Sequence, residues 1–399
     1  MITRVQDTCT GRTAPALPAA AVRADRRNKF MSMTFEHITL GQRVLFGSGE
    51  AAANLAAEVQ RHAASRVMVI ASAAKRELAE RVCRDIEVAL WFDDVVQHVP
   101  VECAEQARAA AAEHGIDLLV CVGGGSGIGL AKAVALTTGL PIVAVPTTYA
   151  GSEATNVWGM TENRTKTTGT DDRVLPGAVV YDATLTVSLP VALSVASGLN
   201  SVAHCVDALW APKADPINQA LALEGARTLA AALPRIAEAP EDLPAREQAL
   251  CGCYLAAVAF ASAGSALHHK ICHLLGGTFA LPHAETHAIV LPHVLALNAP
   301  AVPDLAARLA CALGRPVEAG QDPADAAVAA LDQLRTTLGA PTRLADYGLT
   351  ESDIPEAVQR AVGAAPASNP VHVTPENMTA LLTAALTGAE PAPAVLTTR

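Results

Sequence analysis

Aromatic residues make up only 3% of this 399-residue chain and charged residues only 17%, whereas 51% of it is hydrophobic. So few charges among so many apolar residues exclude an intrinsically disordered chain and favour a compact globular protein. Because the apolar residues are mostly Ala, Val and Leu, we expect closely packed, Ala-rich helices. The chain is also long for a single hydrophobic core, which predicts two domains.

Basic surface is scarce as well. The formal net charge is −10, and no stripe of Lys and Arg with interleaved aromatic residues is present, which argues against a nucleic-acid partner. Residues 249–267 are uncharged and long enough to span a bilayer, but they are rich in Ala, Gly, Ser and Cys rather than in Leu, Ile and Phe. We therefore predict a buried core helix at residues 249–267 and no membrane partner. With nucleic acid and membrane both disfavoured, we expect the partner to be a small molecule.

The nine cysteines include no Cys-x-x-Cys pair, so no metal or redox motif of that type is indicated. Their scattered positions are typical of small reduced core residues, which predicts a cytoplasmic location. Residues 1–33 lack the apolar core and the cleavage site of a signal peptide. We expect them to form a flexible tail, and Met31 and Met33, just before the first strand pattern, identify this tail as a candidate annotation extension.

From residue 36 to about residue 190, short apolar segments alternate with Ala-rich helical patterns, which predicts a doubly wound parallel sheet. Beyond that point long helical patterns dominate, so we place the two domains at 34–188 and 189–392. The predicted strands are 43–46, 66–71, 95–99, 117–122 and 141–145, and the predicted helices of the first domain are 50–62, 74–89 and 103–114. In the second domain we expect helix breaks at Gly198, Pro212, Pro234, Pro240, Gly276, Gly277, Pro282 and Pro292.

A glycine-rich turn, Gly123-Gly124-Gly125-Ser126, follows an apolar strand and precedes a helical pattern. Glycines let the backbone approach a pyrophosphate closely, and the N-terminus of the following helix offers free N–H groups and a favourable dipole. Thr147 and Thr148 follow the next predicted strand and would lie at the same carboxyl-end edge of the sheet, where ligands bind. These residues predict a dinucleotide-binding site in domain 34–188, and a tight turn without a ligand is the alternative.

The predicted strand at 66–71 ends without an Asp or Glu that could bind the ribose 2′-hydroxyl of NADH. Lys75 and Arg76 lie just beyond that strand, where a cation could accept the 2′-phosphate of NADPH. The cofactor is therefore predicted to be NADH or NADPH, with the choice between them open.

Six of the 12 histidines fall within residues 267–293, in an apolar and nearly charge-free segment. His269 and His273 are four residues apart, so on a helix they share one face. Pro282 limits further helix, and His283 begins the next apolar run, where it could face that pair. The segment therefore predicts a cluster of imidazoles.

Upstream, Asn200 and His204 also share a helical face. Polar side chains that converge from two or three helices are how metal sites and oxyanion sites are built inside helical domains. The alternative is that each imidazole is a hydrogen-bonded core histidine. The number of histidines in one segment favours a functional site in domain 189–392.

Four segments together resemble the iron-containing alcohol dehydrogenase superfamily: GGGSGIGLAK (123–132), PTTYAGSEAT (146–155), GLNSVAHCVDAL (198–209) and the histidine-rich segment that begins HHKICHLLGG (268–277). More narrowly, the chain looks like the maleylacetate reductases, over residues 36 to 388. The resemblance implies an α/β N-terminal domain with a doubly wound parallel sheet and an all-α C-terminal domain, the dehydroquinate synthase-like architecture. It also implies nicotinamide and substrate in the cleft between the domains, and a homodimer.

The resemblance places the superfamily's metal-ligand positions on Asn200, His204, His269 and His283, and places His273 near the nicotinamide. Metal-dependent members have Asp at the first position, so Asn200 removes the only anionic ligand and leaves a set that holds a hard ion such as iron(II) less well. Maleylacetate reductases resemble this chain in that substitution, and Gly129 and Tyr149 fit the same subgroup. The resemblance therefore implies that no metal is required.

Two segments depart from the maleylacetate reductase pattern. Thr167 and Thr170 stand where these reductases tend to have arginines, and Ala367 and Val371 replace a Tyr and an Arg near the C-terminus. A dicarboxylate needs cations in its pocket, so the chain acts on a less anionic substrate unless other cations compensate. The candidates for compensation are Arg164, Lys166, Arg173 and Lys270.

These features predict NAD(P)H-dependent reduction of an unsaturated oxo acid of the maleylacetate type to 3-oxoadipate, a reaction of aromatic compound catabolism. Hydride would add to the carbon β to the ketone, and the developing enolate oxygen must be stabilised. The candidate donors are His204, His269, Lys270 and His283. His273 is the candidate proton donor, because the unperturbed pKa of imidazole lies near neutral pH.

Three alternatives stay open. A metal-assisted alcohol dehydrogenase or aldehyde reductase would tolerate Asn200 as a neutral ligand and use the metal as a Lewis acid on the carbonyl. A maleylacetate reductase-like enzyme could act on a less anionic carbonyl or enone compound. A catalytically idle nucleotide-binding homologue would have lost His273 or the glycine-rich turn, and both are present.

Overall fold

A computed structural model describes residues 34–163 and 165–391, and the described residues from Glu36 onward belong to one compact unit. The expected tail, residues 1–33, lies outside these ranges. The expected boundary between residues 188 and 189 falls in the short connection before the first long helix of the second half of the chain. That boundary stays a prediction.

The strands are β1 (Arg43–Phe46), β2 (Val67–Ile70), β3 (Val88–Phe92), β4 (Leu118–Gly123), β5 (Ile142–Pro146), β6 (Val157–Glu162), β7 (Thr165–Thr170) and β8 (Ala178–Tyr181). Six of them form one sheet in the order β1-β8-β5-β4-β2-β3, in which every neighbouring pair is parallel. The remaining two, β6 and β7, form an antiparallel hairpin. The predicted parallel sheet is confirmed.

The helices are α1 (Ala51–Arg61), α2 (Arg76–Val82), α3 (Val101–Glu113), α4 (Gly125–Thr138), α5 (Val191–Ala208), α6 (Pro216–Glu238), α7 (Leu243–Ala263), α8 (Leu267–Phe279), α9 (His283–Asn298), α10 (Pro303–Ala312), α11 (Pro323–Thr337), α12 (Ile354–Ala364) and α13 (Pro375–Thr387). In β4, Leu118 and Val120 pack into the core shared with α1 and α2, whereas Leu119 and Cys121 pack into the core shared with α3 and α4. Helices therefore cover both faces of the sheet, and helices α5 to α13 surround a further core. This arrangement confirms the predicted α/β and all-α halves.

The order of the strands reverses between β2 and β4. From β2 the chain moves to β3 at one edge, whereas β4, β5 and β8 follow one another toward the other edge. The connections that leave the carboxyl ends of β2 and β4 therefore diverge and open a crevice, which is where doubly wound sheets bind ligands.

The predicted strand at 95–99 is wrong, because the strand in this region is β3. The predicted helix at 74–89 ends too late for the same reason, since β3 begins at Val88. α2 ends already at Val82. Residues 95–99 form a loop, in which His98 and Val99 have positive φ angles of 63° and 49°. A short apolar run fits either a strand or a buried loop, and β3 takes the edge of the sheet here. The strands β6, β7 and β8 were not predicted.

Several expected helix breaks are wrong: Gly198, Pro234, Gly276, Gly277 and Pro292 lie inside helices. Gly198 is needed within α5 because the side chain of Leu233 occupies the space of its missing Cβ. Packing of this kind outweighs the low helix propensity of Gly and Pro. The expected breaks at Pro212, Pro240 and Pro282 do fall between helices.

None of the helices in the described ranges is both long and apolar enough to cross a membrane alone. Only α7 and α8 together pass that test, as a pair bent by 98°. α7 is a largely buried helix, as predicted for residues 249–267, but it ends at Ala263, so that stretch is not one continuous helix.

Eight of the nine cysteines lie in the described part of the chain, and all eight are free thiols. Six of these are buried, as expected for core residues, whereas Cys251 and Cys311 are exposed. Cys9 lies outside the described residues.

Candidate active site

A cavity of about 500 Å³ opens at the carboxyl end of the sheet and reaches helices α5, α8 and α9. Its lining includes the predicted cofactor-binding residues Gly123, Gly124, Gly125, Ser126, Thr147 and Thr148, and the predicted catalytic residues His204, His269, His273 and His283, together with Asn200. The structure therefore brings these residues to one place, while their individual roles stay predictions.

The glycine-rich turn joins β4 to α4 at the crevice. Gly124 occupies the N-cap position of α4, and no side chain caps the first N–H groups of this helix. A Cβ atom at Gly124 would lie 2.8 Å from Cγ2 of Thr148, whereas one at Gly125 would lie 3.6 Å from Ala150. The turn thus keeps two loops in close contact and leaves an open helix N-terminus, which suits a pyrophosphate.

One further polar group on the cofactor side, the hydroxyl of Thr147, has no partner among the described residues. Oγ1 of Thr147 is buried and makes no hydrogen bond within the described residues, while the backbone N–H of Thr147 donates to the carbonyl of Gly123 at 2.9 Å. Ser72 and Lys75, which follow β2, also line the cavity. The connection after β2 thus contributes a hydroxyl and an ammonium group.

Lys132 ties the glycine-rich helix α4 to the loop that follows β5. Its buried ammonium donates to the carbonyl of Ser152 at 2.6 Å, to Oγ1 of Thr155 at 2.9 Å and to the carbonyl of Val157 at 2.9 Å. Burial lowers the pKa of Lys132 to about 7. All three acceptor residues line the cavity, so this lysine shapes its wall without entering it.

His204 lies in a stack of rings. Its ring centroid is 4.7 Å from that of Phe260 and 4.7 Å from that of His269, with the planes 22° and 25° apart. On its other side, a Cβ atom at Gly151 would lie 3.2 Å from Nδ1 of His204. Burial lowers the pKa of His204 well below its usual value, so this imidazole is neutral.

Asp207 is a site residue that sequence reasoning missed. Its buried carboxylate accepts a hydrogen bond from Nδ1 of His269 at 2.7 Å and another from the backbone N–H of His269 at 3.1 Å. Nδ1 of His269 is therefore the protonated nitrogen, and Nε2, which is buried without a partner in the described residues, carries the free lone pair. The signal was present, since Asn200, His204 and Asp207 recur on one face of α5.

His273 and His283 lie across from one another, with ring centroids 6.1 Å apart and planes 17° apart. Burial, and then the charge of Lys166, lowers the pKa of His273 well below its usual value. The expectation of a near-neutral pKa for His273 is therefore wrong. An anion bound nearby would oppose this shift.

Lys270 was predicted to be a catalytic residue but does not line the cavity. It follows His269 directly, and successive residues on a helix point about 100° apart, so its side chain diverges from that of His269. The structure therefore does not bring Lys270 together with the other predicted catalytic residues, and its role stays a prediction. Tyr149 is buried and also lies outside the lining.

The metal-ligand positions implied by the resemblance line the cavity, but they are not the described residues whose ligand atoms lie closest together. Zinc lies about 2.0–2.1 Å from each ligand nitrogen, so ligands of one ion lie within about 4 Å of one another. Among residues 34–163 and 165–391, one group of three His, Cys, Asp or Glu brings its ligand atoms within 4.8 Å, and it does not contain His204 or His283. Asn200 offers a neutral oxygen, which holds a hard ion such as iron(II) less well than a carboxylate does, and the expectation that no metal is required stays a prediction.

The group that does lie so close consists of His268, His269 and His287. Nε2 of His268 and Nδ1 of His287 are 2.9 Å apart and share a hydrogen bond, and both side chains are fully buried. These two histidines are core residues between α8 and α9 that bond to each other, while Nδ1 of His268 and Nε2 of His287 have no partner among the described residues.

The two departures from the reductase pattern do not line the cavity. Thr167 is exposed on the face of β7 opposite to Lys166 and Thr168, which line the cavity, and Thr170, the last residue of β7, is exposed outside the lining. Ala367 and Val371 border a separate depression before α13. The expectation that these positions deplete the substrate pocket of cations is wrong, because none of the four lines the cavity. At Thr167 the reason is that side chains alternate along a strand.

Of the cations proposed to compensate, Lys166 is the one that lines the cavity. Arg173 is exposed and lies 2.6 Å from Asp171, and Arg164 lies outside the described residues. Burial lowers the pKa of Lys166 to about 8. Lys166 therefore remains mostly positive at neutral pH.

Comparisons with known proteins agree with this geometry. The iron-containing alcohol dehydrogenase family model matches residues 41–183, and the C-terminal model of the Fe-containing alcohol dehydrogenase family matches residues 194–386. A maleylacetate reductase of Pseudomonas sp. (strain P51) is 47% identical over 334 residues, which are 83% of this chain and 92% of that protein. A maleylacetate reductase of Sphingobium indicum is 44% identical over 362 residues, 90% of this chain and 99% of that protein.

Solved structures share the fold. The crystal structure of an iron-containing alcohol dehydrogenase from Corynebacterium glutamicum has a TM-score of 0.86 and 57% identity, and covers 92% of this chain and 100% of that one. The crystal structure of maleylacetate reductase from Agrobacterium tumefaciens has a TM-score of 0.82 and 39% identity, and covers 90% of this chain and 100% of that one.

Proposed function

The chain belongs to the iron-containing alcohol dehydrogenase family, and we propose that it reduces maleylacetate to 3-oxoadipate. It is an oxidoreductase that uses a reduced nicotinamide cofactor. The observation that carries the proposal is that one cavity joins an open helix N-terminus at Gly124 to a group of neutral imidazoles with Asn200 in place of a carboxylate. Similarity to several maleylacetate reductases over most of the chain supports the same substrate.

The cofactor would lie along the carboxyl edge of the sheet. Gly123, Gly124, Gly125 and Ser126 would bind the pyrophosphate, and Thr147 and Thr148 would bind the neighbouring part of the dinucleotide. Ser72 and Lys75 would lie beside the adenosine ribose. Since the connection after β2 contains a lysine and no carboxylate, both NADH and NADPH suit this site.

In the reaction, hydride from the nicotinamide adds to the carbon β to the ketone, and the electron pair of the carbon–carbon double bond moves toward the ketone oxygen. Hydrogen-bond donors must stabilise that enolate oxygen, and His204 and His283 are the candidates lining the cavity. His269 was also predicted to be a donor, but its proton is on the nitrogen that bonds to Asp207, so towards the cavity it can only accept. His273 would transfer a proton to the α carbon, giving 3-oxoadipate and the oxidised cofactor. The charge of the bound substrate favours the protonated form of His273.

We further propose that this reaction needs no metal. Asn200 contributes no negative charge, and the nitrogens of His204 and His283 do not meet those of His269 at metal-ligand spacing in the described residues. The residues would instead act directly as hydrogen-bond donors and acceptors.

A second candidate function is that of a metal-assisted alcohol dehydrogenase or aldehyde reductase. It is favoured by the bond between His269 and Asp207, because metal-bound histidines usually donate their other N–H to a carboxylate. The same bond also orients a histidine that acts without a metal, so it does not decide between the two functions.

Oxidation of NADH and of NADPH, followed by the loss of absorbance of the reduced cofactor, tests the proposal. Maleylacetate is compared with monocarboxylic oxo acids, enones and aldehydes, and the product is identified as 3-oxoadipate. We expect the largest kcat/KM with maleylacetate. A larger kcat/KM with an aldehyde, together with a requirement for added metal, would favour the second candidate function.

The proposal also includes a cytoplasmic location and a homodimer. The free cysteines support a reducing compartment such as the cytoplasm. Homodimer formation is an expectation from the family alone.

A further inference from the structure

The end of the cavity next to His273 and His283 contains one lysine, Lys166. The other lysine in the lining, Lys75, follows β2 at the cofactor side of the crevice. Lys166 comes from the hairpin of β6 and β7, which packs on α8. A substrate carboxylate at this end of the cavity would therefore meet the charge of Lys166.

A second polar side chain, His98, lines the same end of the cavity. Its Nε2 atom is buried and has no hydrogen-bond partner among the described residues. A buried polar atom without a partner is costly, and sites that bind a ligand are where such atoms occur. Sequence reasoning missed His98, because it was assigned to a strand that does not form.

The backbone is held in an unusual conformation to present His98. Both His98 and Val99 have φ angles in the left-handed region, 63° and 49°. The hydroxyl of Thr161 donates to the carbonyl of His98 at 2.9 Å, and the backbone N–H of Thr161 donates to the carbonyl of Val99 at 3.0 Å. Strain of this kind persists only where the surroundings fix it, commonly at functional sites.

Helix α8 is shaped to receive both side chains. A Cβ atom at Gly276 would lie 3.0 Å from Cε1 of His98, and one at Gly277 would lie 2.6 Å from Cβ of Lys166. Two adjacent glycines therefore allow the loop and the hairpin to approach the same helix that carries His273. The arrangement fixes His98 and Lys166 next to each other.

Lys166 and His98 are close enough to influence each other electrostatically. Burial lowers the pKa of His98, and the charge of Lys166 lowers it further. An anion between them would remove this repulsion and would favour the imidazolium, which donates from both ring nitrogens.

We propose that Lys166 and His98 together bind one carboxylate of the substrate. The proposal rests on the proposed function and names the residues that recognise the acid group. Lys166 contributes the charge, and His98 contributes a directed hydrogen bond, a combination typical of carboxylate recognition. The anion site is thus formed from the inner side of β7 and the loop after β3, and Thr167, on the other face of β7, is not part of it.

The test compares Lys166→Met, Lys166→Arg and His98→Asn with the control Thr167→Met on the outer side of the same strand. Asn suits the left-handed conformation of position 98, so His98→Asn retains the backbone. The substrates are maleylacetate and its two monomethyl esters, each lacking one negative charge. The affinity for NADH is measured separately by fluorescence titration.

We expect Lys166→Met to lower kcat/KM for maleylacetate at least tenfold and His98→Asn to lower it at least threefold. Lys166→Arg should restore most of the loss, and Thr167→Met should change little. One of the two esters has its methyl group on the carboxylate that Lys166 would bind. For that ester, Lys166→Met should change kcat/KM by less than threefold. Equal losses on all three substrates, or a weaker affinity for NADH that accounts for the loss, would overturn the proposal.

A binding measurement separates this proposal from the proposed function. Succinate, which cannot accept a hydride, is titrated by calorimetry into each variant saturated with NADH. Binding by the wild type and Thr167→Met, with at least tenfold weaker binding by Lys166→Met, supports the carboxylate site even if maleylacetate is not the substrate. Equal binding by all variants, or none by the wild type, contradicts it.

Discussion

Nδ1 of His269 lies 2.7 Å from a carboxylate oxygen of Asp207, and both side chains are buried. Burial lowers the pKa of His269 to about 3, so the ring is neutral. Its one proton is on the nitrogen that faces Asp207, and its lone pair faces the cavity. Asp207, on α5, thus determines how a residue on α8 meets the substrate.

Asp207→Asn should lower kcat by about 10 to 100-fold, because the amide no longer fixes the tautomer of His269. The affinity for NADH should change little, since Asp207 does not line the cavity. Steady-state kinetics and cofactor titration check both expectations. The exposed Asp304 provides the control Asp304→Asn, and equal kcat values for the two variants would contradict this role.

Gly125→Val should weaken the binding of the nicotinamide cofactor at least tenfold, which is about 1.4 kcal/mol. The added side chain would occupy the cavity, while the Cβ atom itself meets only ordinary contact with Ala150. Gly125→Ala should therefore have a smaller effect, and Gly41→Val, in open space, none. Fluorescence titration of NADH measures the affinities. A folded Gly125→Val variant with unchanged affinity would place the pyrophosphate elsewhere.

His273→Asn should lower kcat by about 10² or more, within the range of general acid–base catalysis. Cofactor affinity should stay nearly the same. The exposed His372 allows a matched control, His372→Asn. If His273→Asn retains most of its turnover, the proton comes from another group or from water.

Activity should survive exhaustive chelation, because the presumed ligand set contains the neutral Asn200 and no carboxylate. Asn200→Asp should in turn create measurable affinity for a divalent ion. Metal analysis of protein purified without a chelator, and assays before and after chelation, check this. Stoichiometric metal in the wild type, with activity lost on removal and regained on addition, would show a metalloenzyme.

The value of kcat/KM for maleylacetate should fall as the pH rises through about 8, the pKa to which burial lowers Lys166. Below that pH the ammonium is charged and attracts the dianion, and above it the charge is lost. Lys166→Arg should shift this fall in kcat/KM to higher pH, because a guanidinium stays charged. The other titratable groups around this end are His98, His269, Lys270, Cys272, His273 and His283. If kcat/KM of Lys166→Arg falls at the same pH as that of the wild type, one of these other groups causes the fall.

Much of the site could be predicted because its residues form patterns between near neighbours in the sequence. The glycine-rich turn follows an apolar strand directly, so its place at the sheet edge followed from chain order. Asn200 with His204, and His269 with His273, are four residues apart, and both pairs do share a face of one helix.

The parts of the site that could not be predicted depend on contacts between segments far apart in the sequence. His98 was missed because an apolar run at 95–99 does not distinguish a strand from a loop with positive φ angles. Thr167 was assigned to the pocket because the hairpin was not predicted, and without its register the inward and outward sides of β7 could not be told apart. Gly276 and Gly277 were interpreted as a helix end, since their partners lie more than a hundred residues earlier in the chain.

Those two glycines also bear on how the protein folds. Each glycine inside a helix costs about 1 kcal/mol relative to alanine, so α8 has a weak tendency to form alone. Close approach of the hairpin compensates only after the hairpin has docked. The helix that carries His269 and His273 therefore becomes stable together with the segment that carries Lys166, and the active site is complete only when both halves of the chain have folded.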